Sequence, residues 1–135
     1  MKSKAKLVEG MKSVVDNGRK HSVVLDLPEA KGGTDSGATA LELVVMGLSG
    51  CITTIFASVA KNSNLSYNSI DVDVEALQEE GASTITSASA EVKVVSSESE
   101  KKVERIFKKT LEICPVAKLI EQAGIEIKHN LTIEN

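Results

Sequence analysis

Two thiols are the side chains of this sequence best suited to covalent chemistry. Cys51 lies in "MGLSGCITTIF" and Cys114 in "EICPVAKLI", and the chain has no other cysteine. A thiol acts as a nucleophile through its thiolate, so the question for each is what would stabilise that charge. Cys114 directly precedes Pro115 within an otherwise continuous amphipathic helical pattern. Proline lacks an N–H and disfavours helical geometry in the residue before it, so the helix should break at Cys114. Pro115 in turn suits the first position of a new helix. Cys114 would then cap that helix, its sulfur near free backbone N–H groups and the positive end of a dipole. Cys51 falls about three turns into its own helix, beyond the reach of either terminus, and would need a neighbouring cation. Against chemistry stands the common behaviour of free cysteine as a small buried hydrophobe. Spacing alone leaves both readings open. A zinc site would have to recruit His21 and His129, and no ligand spacing such as CxxC is present, so no metal is expected.

The elements around these thiols can be read from periodicity. "KLVEGMKSVVDNGRKHSVVLDLP" has two β-branched runs flanking Asn17-Gly18, which predicts a hairpin with a type I′ turn ended by Pro28. "EAKGGTDSGATA" is a loop of glycine and small residues, long enough to be functional. Leu41, Val44, Val45, Leu48, Ile52, Ile55, Phe56 and Val59 then recur at helical spacing, predicting a helix from about Thr39 to Lys61. Gly47 and Gly50 weaken that helix by about 1 kcal/mol each, which close approach of another backbone would explain. Ile70, Val72 and Val74 alternate with Asp71, Asp73 and Glu75, a half-buried strand whose antiparallel partner is residues 84–96. A second helix begins near Ser97, with Val103, Ile106, Phe107, Thr110, Leu111 and Cys114 inward, and a short helix ends at Gly124. The last strand is "IEIKHNLTIE", with His21 and His129 both read as strand residues. The class is α+β, an antiparallel sheet on two substantial helices.

Composition narrows the partners. The 135 residues are one domain's worth, enough to bury about two-thirds of the unfolded surface. Only Phe56, Phe107 and Tyr67 are aromatic, and the net charge is −3, which argues against a base-stacking or phosphate-binding surface. No nucleic-acid partner is expected. "MKSKAKLVEG" carries charge without an apolar core behind it, so it does not read as a secretory signal, and a cytoplasmic location is expected. "LELVVMGLSGCITTIFASVA" is long enough to span a membrane, but it holds Glu42, two glycines and several hydroxyls and reads as a buried helix, so no membrane is expected.

"LELVVMGLSGC", "EICPVAKLI" and "AGIEIKHNLTI" together resemble the OsmC/Ohr family, which includes osmotically induced protein C and organic hydroperoxide resistance proteins. The resemblance runs over nearly the whole chain and is carried by one cysteine in an apolar helix and a second in a Cys-Pro-x-x-Lys context. It implies one OsmC-like domain over residues 1–135, with antiparallel sheets packed around two long central helices in an intertwined homodimer. It also implies a peroxiredoxin-like hydroperoxide reductase of oxidative-stress defence, acting on organic hydroperoxides and less well on hydrogen peroxide, without a cofactor. By resemblance Cys51 is the peroxidatic cysteine and Cys114 the resolving one, and a dithiol or lipoyl-protein reductant resets them. Two positions depart from the family pattern. The glutamate expected ten residues before the first cysteine is replaced by Leu41, with Glu42 one later. The two places that supply an activating arginine are Gly10 and Lys31, while Arg19 falls in the hairpin turn.

Lys31 and Glu42 are therefore the candidates to assist Cys51. Nine positions of helix separate Glu42 from Cys51, about 13 Å along the axis, so Glu42 would act by holding a long cationic side chain. The alternative is a first-turn glutamate favoured by the helix dipole. The implied chemistry is thiolate attack on the O–O bond, release of an alcohol, and condensation of the sulfenic acid with Cys114. A reading of another class is a non-catalytic dimer that binds a small apolar ligand, with both cysteines as packing; the aliphatic composition suits it equally.

Overall fold

Short β-branched runs separated by turn residues fold Lys4 to Leu25 into an antiparallel meander. The computed structural model describes Met1–Asn135 and divides it into two compact units, Met1–Val44 and Val45–Asn135. The first holds β1 (Lys4–Glu9), β2 (Lys12–Asp16) and β3 (Ser22–Leu25) in that order. The sequence predicts one hairpin here, and the structure has two, because Gly10 and Met11 turn the chain inside what reads as a single run. The turn at Asn17-Gly18 is also wider than type I′. Asn17 N–H donates to the His21 carbonyl at 3.1 Å, and the residues at positive φ are Gly18 and Lys20. Side-chain acceptors hold it: Asp16 takes the Gly18 N–H at 2.8 Å and Asn17 takes the Arg19 N–H at 2.9 Å. His21 thus belongs to the turn and not to a strand.

The glycine-rich loop is organised by one carboxylate. Asp26 is the only buried residue of this unit. Its Oδ1 accepts the Leu27 N–H at 2.8 Å. Its Oδ2 accepts from the N–H and hydroxyl of Thr34 at 3.0 and 2.7 Å, and from those of Ser36 at 3.2 and 3.0 Å. After a 3-10 turn at Glu29–Lys31, the chain passes so close to itself that a Cβ on Gly33 would sit 1.8 Å from the Leu27 carbonyl oxygen. Only glycine fits there.

The second unit is a mixed sheet under helices. α1 (Ala40–Asn62) starts in the first unit and runs on into the second, where Leu48, Ile52, Phe56, Val59 and Ala60 are buried. β4 (Ser69–Leu77), β5 (Ser87–Val95) and β6 (Ile127–Glu134) form the sheet with β5 central. Its inner face is built of cross-strand rows, Val72–Val92–Leu131 and Ile70–Val94–Ile133 among them. Asp71, Asp73 and Glu75 point outward, as the alternation predicts. α2 (Glu100–Ile113) buries Val103, Ile106, Phe107 and Thr110, and α3 (Pro115–Gln122) buries Ala117 and Ile120.

Two expectations need correction. The sheet is not wholly antiparallel: β6 runs parallel to β5, because α2 and α3 carry the chain back across before it re-enters. The helices are α1 and, across the break expected at Cys114, α2 followed by the shorter α3. α1 is long and apolar enough to cross a membrane by length and composition, but it is not a fully buried helix. One stripe of it packs into the core, while Val44, Met46, Gly47 and Gly50 are exposed. A Cβ on either glycine would meet nothing within 4 Å, so no close approach within this chain accounts for them.

The Asp26 cluster sets a pH dependence. The Thr34 hydroxyl, before the backbone donors, holds the Asp26 carboxyl well below the usual carboxylate range. A depressed folded value contributes stability that is complete above the unfolded pKa of about 3.9 and is lost as pH falls towards the folded one. Asp26→Asn should therefore unfold at lower urea than the native chain at pH 7, and that gap should narrow from about pH 4 down to about pH 2. A gap of constant size across this range would show that the charge is not the source.

Candidate active site

The cysteine–proline break places one sulfur against the other. Cys114 leaves α2 with φ −68° and ψ 109°, an extended conformation that also makes it the cap of α3, with Pro115 at the helix start. Its carbonyl accepts the Lys118 N–H at 3.1 Å, the first bond of the new helix. Turned out of the helical path, its thiol donates to Cys51 Sγ at 3.0 Å. Both cysteines are free. A disulfide is about 2.05 Å long, so closing the pair needs about 1 Å of movement and no unfolding.

The two thiols are unequal. Cys114 is fully buried, whereas Cys51 stands at the edge of the buried stripe and is partly exposed. Burial, and then the Cys51 contact, pushes the Cys114 thiol up to about 11. The amides of Ala117 and Val116 pull the other way, as the cap position predicts, but neither closes a hydrogen bond on the sulfur. Desolvation wins. The expectation of an activated Cys114 is therefore corrected: helix-start amides do face it, and it stays a protonated thiol at neutral pH.

Glu42 has a defined local task. Its Oε2 accepts the Thr39 N–H at 2.7 Å, and its own N–H donates to Thr39 Oγ1 at 3.2 Å. This reciprocal pair is a capping box at the start of α1. Thr39 is also the main cause that lowers the Glu42 carboxyl, and the positive charge of Lys31 adds the smallest contribution. Lys31 ends the 3-10 turn and lies exposed. The structure thus brings Cys51 to Cys114 in the second unit and Lys31 into the field of Glu42 in the first.

His129 has surroundings that its reading as a strand residue does not convey. His129 sits in the inner row Val74–Ala90–His129 of the sheet, although Lys128 beside it faces out. Its Nδ1 is buried without a partner, its ring meets Phe107 edge-on at 6.3 Å, and burial lowers its pKa against a weak pull from Glu121. The period-two alternation of Ile127, His129, Leu131 and Ile133 was the available signal.

The family model described as OsmC-like protein matches residues 33–130. The chain belongs to the OsmC-like family. Solved structures of similar fold include the OsmC-like protein of Mycoplasma pneumoniae, with TM-score 0.87, 16% identity, and 99% of this chain and 96% of that one covered. An organic hydroperoxide resistance protein of Legionella pneumophila gives TM-score 0.71 and 17% identity over 100% of this chain and 98% of that one. A second, from Elizabethkingia anophelis, gives 0.69 and 17% over 98% and 94%. At such identities the likeness is one of fold. No curated protein matches the sequence.

If Pro115 sets the sulfur contact, relaxing it should separate the thiols. Pro115→Ala lets Cys114 return to helical geometry, and disulfide closure after diamide should slow by about a hundredfold, the scale of a misplacement near 1 Å. Alkylation of Cys51 should be little changed. Closure at the native rate would remove the proline from the argument.

Proposed function

We propose that the chain is a thiol-dependent peroxidase that reduces organic hydroperoxides, and hydrogen peroxide less well, through Cys51 and Cys114. The observation that carries this reading is the unequal pair: an accessible sulfur 3.0 Å from a fully buried one within one chain. The Cys51 thiolate attacks the O–O bond, which breaks to give an alkoxide that leaves as alcohol and a Cys51 sulfenic acid. Cys114 then attacks that sulfur, and its proton leaves with the displaced hydroxide as water. A thiol held high by burial suits this second role, since it does not compete for peroxide. A dithiol, free or lipoyl-protein-borne, exchanges with the disulfide in the cytoplasm and returns both thiols. The hydroperoxide resistance proteins of similar fold support the substrate class.

Turnover of cumene hydroperoxide with dihydrolipoamide tests it. The native chain should cycle, Cys51→Ser should abolish turnover, and Cys114→Ser should keep the first oxidation but stall as a trappable sulfenate. A chain that loses neither thiol to hydroperoxide is the non-catalytic, ligand-binding dimer instead. Lys31, whose charge reaches Glu42, is the proposed cation for peroxide and departing alkoxide. In the same assay Lys31→Met should slow the first oxidation by about tenfold or more, within the range for lost electrostatic stabilisation.

The proposed assembly is an intertwined homodimer. The first unit has no buried apolar residue, and Leu7 and Val23 of its meander are exposed. A three-stranded sheet needs a covered apolar face to be stable. A second copy of the chain would supply that cover. Light scattering should read twice the chain mass at micromolar concentration, and a monomer there would count against the assembly.

A further inference from the structure

Cys51 and Cys114 also form a pair of soft donors held side by side. Their sulfurs are 3.0 Å apart and free, Cys114 inside the core cluster and Cys51 packed against it. Both donors belong to one chain, so a second copy can narrow the approach to the pair but cannot dismantle it. Thiolate sulfur selects soft centres. Zinc would want four ligands, yet no third cysteine exists and no three cysteine, histidine or carboxylate side chains gather anywhere in the chain. The pair therefore suits a centre that needs two sulfurs only. At bonds of about 2.3 Å, the length of a metal–thiolate bond, two sulfurs at a right angle stand about 3.3 Å apart and two in line about 4.6 Å. The observed 3.0 Å must open by about 0.3 Å for the bent centre and about 1.6 Å for the linear one. A close-packed core accepts the first change far more readily than the second. Trivalent arsenic and antimony are pyramidal, with bonds near right angles.

We propose that Cys51 and Cys114 form a chelating site for trivalent arsenic or antimony hydroxides, which the pair takes up as a cyclic dithiolate. The inference does not depend on peroxidase activity. Cys51 enters first, because it is the partly exposed thiol. Its sulfur–arsenic bond forms as an arsenic–oxygen bond breaks, and the thiol proton leaves with that hydroxyl as water. Cys114 then closes the ring on the same arsenic by a second exchange of the same kind. Two waters are released, the third hydroxyl stays on arsenic, and the arsenic remains trivalent, so neither oxidant nor reductant is consumed. Burial, which raises the Cys114 thiol to about 11, does not block its step. The departing hydroxyl takes the proton, and the neutral sulfur–arsenic bond leaves no charge in the core. A loaded chain has no thiol free to meet a peroxide.

Arsenite is the probe, read by intact mass and by protection of Cys51 from N-ethylmaleimide. The native chain should hold one arsenic with the loss of two waters, and 2,3-dimercaptopropanol should remove it. Cys51→Ser, Cys114→Ser and Cys114→Ala should each need about a hundredfold more arsenite for half-saturation, the scale of a lost second anchor. Cys51→Ser, altered at the edge of the core, keeps a folded single-thiol chain in the test should both Cys114 variants unfold. In urea the loop between the thiols must be closed by the ligand, and half-saturation of the native sequence should rise by about tenfold or more. Loss of one water only marks a single sulfur bond and would overturn the chelate. So would native affinity in any single-thiol variant, equal or tighter uptake in urea, or no uptake by the folded chain. A chain that takes up arsenite but resists cumene hydroperoxide keeps this site and loses the peroxidase reading, and the reverse result keeps that reading and removes this site.

Discussion

The chemistry of the molecule depends on a backbone constraint at one peptide bond. Pro115 forbids Cys114 the helical geometry that the residues on either side adopt, and the chain leaves α2 and enters α3 through it. A cysteine in a continuous helix would point along the helix face with its neighbours. Here the break turns the sulfur onto α1, where it meets Cys51 at 3.0 Å. The same break shapes the sheet. α2 and α3 together form the crossover that returns the chain parallel to β5, so the strand order and the sulfur contact follow from one local rule.

Burial then makes two chemically identical groups unequal. A thiol pKa lowered by about three units from about 8.5 gains roughly thirtyfold in thiolate at neutral pH but, with a Brønsted coefficient of about 0.4 to 0.5, loses roughly twentyfold in nucleophilicity. Ionisation alone is therefore a weak route to catalysis. What distinguishes the pair is access and proton inventory. Cys114, raised to about 11, would keep its proton in the proposed cycle until a leaving group can take it away. In the proposed cycle, the larger contribution must come from charge placed where the alkoxide develops. A lysine offers a point charge there, without the bidentate fork of an arginine.

Much of this is legible in the sequence alone. Helical spacing set α1 to within a residue at each end, and the Cys-Pro dipeptide announced both the break and the cap. The start of α2 was misjudged because Ser96 diverts the chain: its hydroxyl donates to the Ser66 carbonyl at 2.7 Å and accepts the Glu98 N–H at 3.1 Å. Such a bond depends on a residue distant in sequence, which periodicity cannot report. The Asp26 cluster was invisible for the same reason, since one aspartate before a loop looks like any other until Thr34 and Ser36 fold back onto it. Glu42 reads from the sequence as a cation holder or as a first-turn glutamate favoured by the helix dipole, and the structure pairs it with Thr39 in a capping box. The desolvation of Cys114 is not legible, because cap position and burial pull a thiol in opposite directions and only packing decides between them.

α1 carries two unlike flanks. Its stripe from Leu48 to Ala60 must be apolar and packed, or the second unit has no core. Its opposite flank leaves Val44, Met46, Gly47 and Gly50 exposed in the single chain. Large side chains along that flank would favour the helix, since leucine or alanine outranks glycine by up to about 1 kcal/mol per position. Two glycines stand there instead, and neither relieves a clash within the chain. A helix so long is stabilised mainly by what its apolar face packs against, not by propensity. It can therefore bear two glycines on its exposed flank and still hold the stripe that builds the core.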